Sequence, residues 1–204
     1  SVFLTPHIPM VLPIRLYGHD SLRQETEPVE ANSEALQALI DDMIETMYAA
    51  SGIGLAAPQV GRSERVFVID VTPMAADLRA EGETIPPQPM AFINPEVVWE
   101  SDAIEEYEEG CLSIPDVRET VRRPESIRIR YLDRDFNEYE REVGTMLARV
   151  IQHEYDHLDG VLFTDYLGSF RKRLLRRTLR KIADGKVPAD YPLMTREDET
   201  VAAQ

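Results

Sequence analysis

His153-Glu154-Tyr155-Asp156-His157 sets two imidazoles four positions apart with a carboxylate between them. On a helix this spacing puts both rings on one face, one turn apart, with the glutamate beside them. The chemistry implied is that of a divalent metal with its own general base. Such a metal draws the pKa of its water towards about 7 and polarises a carbonyl oxygen, and the carboxylate takes the water's proton. A catalytic centre of this kind has three protein ligands and keeps one position open. The third ligand is sought by elimination. Phe163 stands where the last histidine of H-E-x-x-H-x-x-G-x-x-H belongs, and the only glutamates after His157, Glu197 and Glu199, lie in a polar stretch. The remaining donors are His7, His19 and Cys111, the single cysteine. Cys111 is favoured, because Gly110 before it lets backbone approach closely and a thiolate binds divalent transition metals well.

Both histidines face one way only if their segment is helical. Residues 145–152 carry apolar side chains at helical spacing, and Gly160 supplies a stop. A second helix is expected after a cap at Asn32 or Ser33, with Leu36, Leu39, Ile40, Met43, Ile44 and Met47 three and four residues apart and Ser51-Gly52 ending it. Strands are expected at 66–71, 92–98 and 127–131, and a proline-rich loop at 72–89. Helix, strands, metal helix and a last basic helix in that order predict a single α+β domain.

Composition bounds the function. At 204 residues with 43% hydrophobic content the chain is long enough for one substantial core. One cysteine excludes an intrachain disulfide and fits a reducing, cytoplasmic setting. No apolar run approaches the roughly 20 residues needed to cross a bilayer. Residues 1–9 lack a secretory pattern and are set apart as a leader, with Met10 an alternative start. A net charge of −15 disfavours general or sequence-specific nucleic-acid binding. Of 22 basic residues, seven (Arg171, Lys172, Arg173, Arg176, Arg177, Arg180, Lys181) fall in 170–182, where there is no acid. Leu174, Leu175, Leu179 and Ile182 give the same stretch an apolar stripe, so an amphipathic helix is expected at about 168–183, followed by a polar tail at 184–204. Charge runs of this kind are commonly solvated faces.

Three motifs, in order, resemble those of the peptide deformylases: Gly52-Ile53-Gly54-Leu55-Ala56-Ala57-Pro58-Gln59, Glu109-Gly110-Cys111-Leu112-Ser113, and His153 to His157. The likeness runs over about residues 12–182. It implies a catalytic domain at 10–183 in which antiparallel strands pack around the metal helix, and hydrolysis of the formyl group from the starting methionine of new polypeptides. It implies one divalent metal on Cys111, His153 and His157, Fe(2+) in the cell with Zn(2+), Ni(2+) or Co(2+) as substitutes. It further implies Glu154 as the base, Gln59 and the Leu112 N–H as oxyanion donors, and Ile53, Gly54 and Gly110 as contacts to an N-formylmethionyl peptide laid down as an added strand. The methionine pocket is expected against Met146, Arg149 and Val150, with Arg149 turned outward so that only its stem contributes. A terminal basic helix is associated in this family with docking to the ribosome. Three other readings are disfavoured: a zincin-like peptidase, for want of a downstream ligand; a noncatalytic module with a closed four-ligand metal; and a cysteine-nucleophile hydrolase.

Overall fold

The first described strand, β1 (Ile14–Arg15), belongs to a computed structural model that describes residues 6–202. Helix α1 (Glu34–Ala49) begins where the Ser33 hydroxyl accepts the Leu36 N–H at 3.1 Å, and buries Leu36, Leu39, Ile40, Met43 and Met47. Ser51, at φ 54°, turns the chain out of the helix into β2 (Gly54–Ala56). There follow β3 (Val66–Ile69), α2 (Ala75–Ala80), β4 (Met90–Glu100), β5 (Ile104–Cys111), β6 (Ile114–Pro124), β7 (Ile127–Leu132) and β8 (Glu138–Val143). The metal-motif helix α3 (Thr145–Leu158), α4 (Ser169–Ala183), β9 (Leu193–Met194) and α5 (Arg196–Ala202) complete the described chain.

Five strands form one antiparallel sheet in the order β2-β3-β4-β7-β8. In β3, Phe67 and Ile69 pack towards α3, while Val66 and Val68 pack towards α1. A strand covered on both faces needs a continuous apolar run rather than alternation, which is how Val66-Phe67-Val68-Ile69 reads. Each such side chain contributes on the order of 1.5–3 kcal/mol when fully buried. The sheet therefore presses α3 between its own face and the separate β5–β6 hairpin, whose last residues include Cys111. The α+β expectation, with antiparallel strands around the metal helix and a C-terminal helix, matches this architecture.

Three expectations need correction. The loop at 72–89 contains a 3-10 turn at Thr72–Met74 and helix α2, because Ala75 and Leu78 find burial against the core. The tail at 184–204 is structured as far as it is described: Leu193 and Met194 pair in parallel with Ile14 and Arg15, which gives the edge of β1 a partner. The stripe of α4 is narrower than its sequence, since Leu179 and Ile182 are buried, Leu175 is partly buried and Leu174 stays exposed. Of the leader at 1–9, residues 1–5 lie outside the described residues.

Candidate metal centre

Helix α3 enters the core with almost every side chain from Leu147 onward buried, and Gly160, at φ 71°, lets the chain turn sharply past its end. His153 and His157 share one face with ring centroids 5.1 Å apart. The β5–β6 turn brings Cys111 opposite, with Sγ 3.4 Å from His157 Nε2. One ligand atom from each of Cys111, His153 and His157 lies within 4.8 Å of the others. Glu154 is also buried, and its Oε2 has no hydrogen bond to protein. Two imidazoles, a thiol and a carboxylate oxygen without a protein partner fit a divalent cation of the transition series. The other donor candidates lie elsewhere: His7 pairs with Asp42, and His19 with Glu199.

Glu109 organises this centre from behind. Its carboxylate accepts the His153 Nδ1 proton at 2.8 Å, which leaves Nε2 for the metal. The same carboxylate receives Arg123 Nε at 2.7 Å and Arg149 Nη1 at 2.7 Å, and Arg123 Nη1 continues to Asp156 at 2.7 Å. Burial alone would push the Glu109 carboxyl up, but His153 and Arg123 overturn it and hold it far below the carboxylate range. Burial also opposes the charged form of His153, yet Cys111 and Glu109 favour it, the environment that suits a cation at Nε2. Burial pushes the Glu154 carboxyl up to about 7 and is opposed by His153. A dication alongside acts in the same sense as His153.

Arg149 does not turn outward. It is buried, and besides Glu109 it donates to the carbonyls of Val121 and Glu105, each at 2.8 Å. The acceptors supplied by the hairpin make this inward position favourable where solvent was expected. Neither Glu109 nor Arg123 was identified as functional from sequence. The signal for Arg123 is its parity along β6 with the buried Val117 and Val121.

Gln59 is buried in a 3-10 turn, Ala57–Val60, whose Pro58 fixes the backbone before it. Its Oε1 accepts the Ala56 N–H at 2.9 Å, so Nε2 must face the other way, towards Ser113 Oγ at 3.2 Å and Cys111 Sγ at 3.5 Å. Leu112 occupies the hairpin turn beside Cys111. Ile53, Gly54, Gly110, Leu112, Met146 and Val150 are among the residues lining a groove of about 700 Å³ that opens onto Glu154 and His153. Strand β2 is the sheet's edge, paired only with β3, so one side of its backbone faces this groove. The structure thus brings Cys111, His153, His157, Glu154, Gln59, Leu112, Ile53, Gly54 and Gly110 to one place, while His7 and His19 stay outside it.

An H-E-x-x-H helix with a thiol opposite, a buried carboxylate and a groove along an edge strand defines the class of metal-dependent amide hydrolases. Residues 11–173 match the family described as polypeptide deformylase. A peptide deformylase of Salinibacter ruber is 67% identical over 195 residues, covering 96% of this chain and all of that one. The crystal structure of a peptide deformylase from Legionella pneumophila superposes with a TM-score of 0.75 at 37% identity, over 87% of this chain and 99% of that one. The peptide deformylase from Ehrlichia chaffeensis gives 0.77 at 36% identity, over 86% and 97%. The chain belongs to the polypeptide deformylase family. It is a metal-dependent hydrolase that removes the N-formyl group from the initiator methionine of nascent polypeptides, releasing formate. Among the described residues no helix is long and apolar enough to cross a membrane.

Proposed function

We propose that Glu154 is the general base, and that Cys111 Sγ, His153 Nε2 and His157 Nε2 hold the metal. The observation that carries this is Glu154 itself: a buried carboxylate between two imidazoles on one helix, lining the groove with its Oε2 free of protein partners. When bound, the cation supplies a Lewis acid and a water acidic enough to be deprotonated near neutral pH. Glu154 Oε2 takes that proton and returns it to the departing methionine nitrogen. Gln59 Nε2 and the Leu112 N–H stabilise the oxyanion, a contribution of about 2.7–4 kcal/mol for each such donor. The backbone of Ile53 and Gly54 pairs with the substrate as an additional strand on β2, and Gly110 gives the backbone room on the facing wall. Met146 and Val150 wall the pocket for the methionine side chain.

The test is formate release from a short formyl-Met peptide by anaerobically purified protein with its metal quantified, beside Glu154→Ala. Turnover lost in the variant with one equivalent of metal retained supports the assignment. Turnover retained overturns it.

Fe(2+) is the native ion in this reading, with Zn(2+), Ni(2+) and Co(2+) as substitutes, since imidazole and thiolate accept all four. Iron-loaded enzyme then loses activity in air while the nickel form keeps it; equal decay of both rules the iron assignment out. The catalytic domain is read as residues 10–183 and the compartment as the cytoplasm. Helix α4 is read as a ribosome-docking element. Among the described residues Lys172, Arg173, Arg176, Arg177, Arg180 and Lys181 enter no ion pair, whereas Arg171 is held by Glu119 at 2.8 Å. A free cationic face on an acidic enzyme suits RNA phosphate at one end only. Charge reversal at Arg173, Arg176 and Arg177 should abolish cosedimentation with ribosomes at low salt, and unchanged cosedimentation would count against this reading.

A further inference from the structure

Beyond α4 the chain returns to the active site. Pro188, Ala189, Asp190 and Tyr191 line the substrate groove, although they lie past the residues matched to the family. The Tyr191 hydroxyl donates to the Leu112 carbonyl at 2.9 Å. Leu112 sits in the two-residue turn between β5 and β6, next to the metal ligand Cys111. This turn has two other ties, both on Ser113: its carbonyl accepts the Tyr17 N–H at 2.8 Å and its hydroxyl accepts Gln59 Nε2 at 3.2 Å. Tyr191 is thus the hydrogen-bond restraint on Leu112's own carbonyl.

The returning segment is fixed at its far end as well. Ile14 N–H donates to Pro192 O at 2.9 Å and Leu16 N–H to Met194 O at 3.0 Å, in register with β1. Glu199 then meets Arg15 at 3.2 Å and the buried ring of His19 at 2.7 Å, the latter a close contact without hydrogen-bond geometry. On the other side of His19, Nδ1 accepts the Ser21 N–H at 3.2 Å, and Ser21 Oγ donates to the carbonyl of Pro58, the residue before Gln59. One strap therefore touches Leu112 directly and reaches Pro58, the residue before Gln59, through His19 and Ser21.

We propose that residues 186–202 form a strap that completes the active site, with Tyr191 a positioning residue that holds the Leu112 turn in its productive orientation. This rests on the assignment of Leu112 and Gln59 as oxyanion donors. Half-buried Tyr191 is a phenol, a group that keeps its proton at neutral pH. It therefore donates at that pH.

The experiment compares metal-loaded parent, Tyr191→Phe and Gln59→Ala on a formyl-Met tripeptide, with metal content and thermal midpoint measured for each. Phenylalanine keeps the ring packed and deletes only the donor. The expected result for Tyr191→Phe is kcat down about tenfold with KM within about twofold and metal content unchanged, since small misplacement of a reacting group costs rate rather than binding. A kcat within about twofold of the parent overturns the strap's role, and so does a fall in kcat matched by lost metal or lost folding. If Gln59→Ala also keeps full kcat, the oxyanion assignment beneath the proposal fails. If Gln59→Ala is impaired and Tyr191→Phe is not, only the strap fails.

Discussion

Glu154 lies directly on the backbone of Gly54: a β-carbon at residue 54 would fall 2.8 Å from both Cγ and Cδ of that side chain. Contacts this short are not tolerated, so the Glu154 carboxylate occupies its place only because residue 54 has no side chain. The same glycine belongs to the edge strand along the groove. Gly54→Ala is expected to displace the Glu154 carboxylate by the better part of an ångström and lower kcat/KM about 100-fold. Metal content should hold, since the atoms nearest the new methyl group all belong to Glu154 rather than to Cys111, His153 or His157. Steady-state kinetics with metal analysis checks this, and near-normal kcat/KM in a fully metallated variant would disprove it.

Glu109 serves His153, Arg123 and Arg149 at once while almost fully buried. Glu109→Gln removes the charge with little change in shape. It leaves two buried guanidinium groups short of their counter-charge, at a cost of about 3–5 kcal/mol. It also weakens the tautomer control on His153, for which a loss of about 10–100-fold in metal affinity is expected. Denaturant unfolding of the metal-free protein isolates the first effect, and metal competition titration the second. Unchanged affinity would show that helix α3 alone orients the ring.

The two motifs on helices were legible because helical spacing is a local property: Ser33 capping α1, and His153 and His157 on one face of α3, follow from residues within a few positions of one another. The network behind the metal was not. Glu109 entered only as the first residue of the second motif, and nothing local separates the buried Glu109 from its exposed neighbour Glu108. The distinction comes from the β5–β6 register and from Arg149 reaching across from α3. The returning strap was missed for a similar reason, since Tyr191 to Met194 form only a short apolar run broken by Pro192, and the partners of Tyr191 and Leu193 lie over 75 positions away.

Asp70 and Tyr48 clamp the start of the substrate edge from behind. The Tyr48 hydroxyl donates to Asp70 Oδ2, the Thr72 N–H donates to Oδ1 at 2.9 Å, and the Asp70 N–H donates to the Ile53 carbonyl at 2.9 Å. Burial raises the Asp70 carboxyl, but the hydrogen bonds from Thr72 and Tyr48 outweigh it and hold the group below its usual range. A carboxyl depressed in the folded state stabilises that state above the unfolded pKa of about 4, and the contribution disappears as pH falls through the lower folded value. The parent should therefore lose more stability than Asp70→Asn between pH 6 and pH 3, by about 1 kcal/mol. Urea midpoints at the two pH values test this, and parallel losses in the two proteins would exclude the clamp as a source of acid sensitivity.

Removing the metal tests how far the centre also holds the fold together. Cys111 ends the hairpin while His153 and His157 belong to α3, so a cation on all three ties together two elements far apart in the chain. A ligand bound only by the folded state stabilises it by RT ln(1 + [L]/Kd), about 2.7 kcal/mol at 100 times Kd. At about 2–4 °C per kcal/mol for a chain of this size, chelation should lower the thermal midpoint by about 5–10 °C, and readdition should restore it. Cys111→Ser keeps the size of the side chain but weakens the metal bond, so its midpoint should respond much less to chelator. A midpoint that ignores chelator in the parent would mean that the β5–β6 hairpin and α3 are held together by their own contacts, those of Glu109, Arg123, Arg149 and Gln152 among them. In that case the metal would act in the reaction without contributing to the stability of the fold.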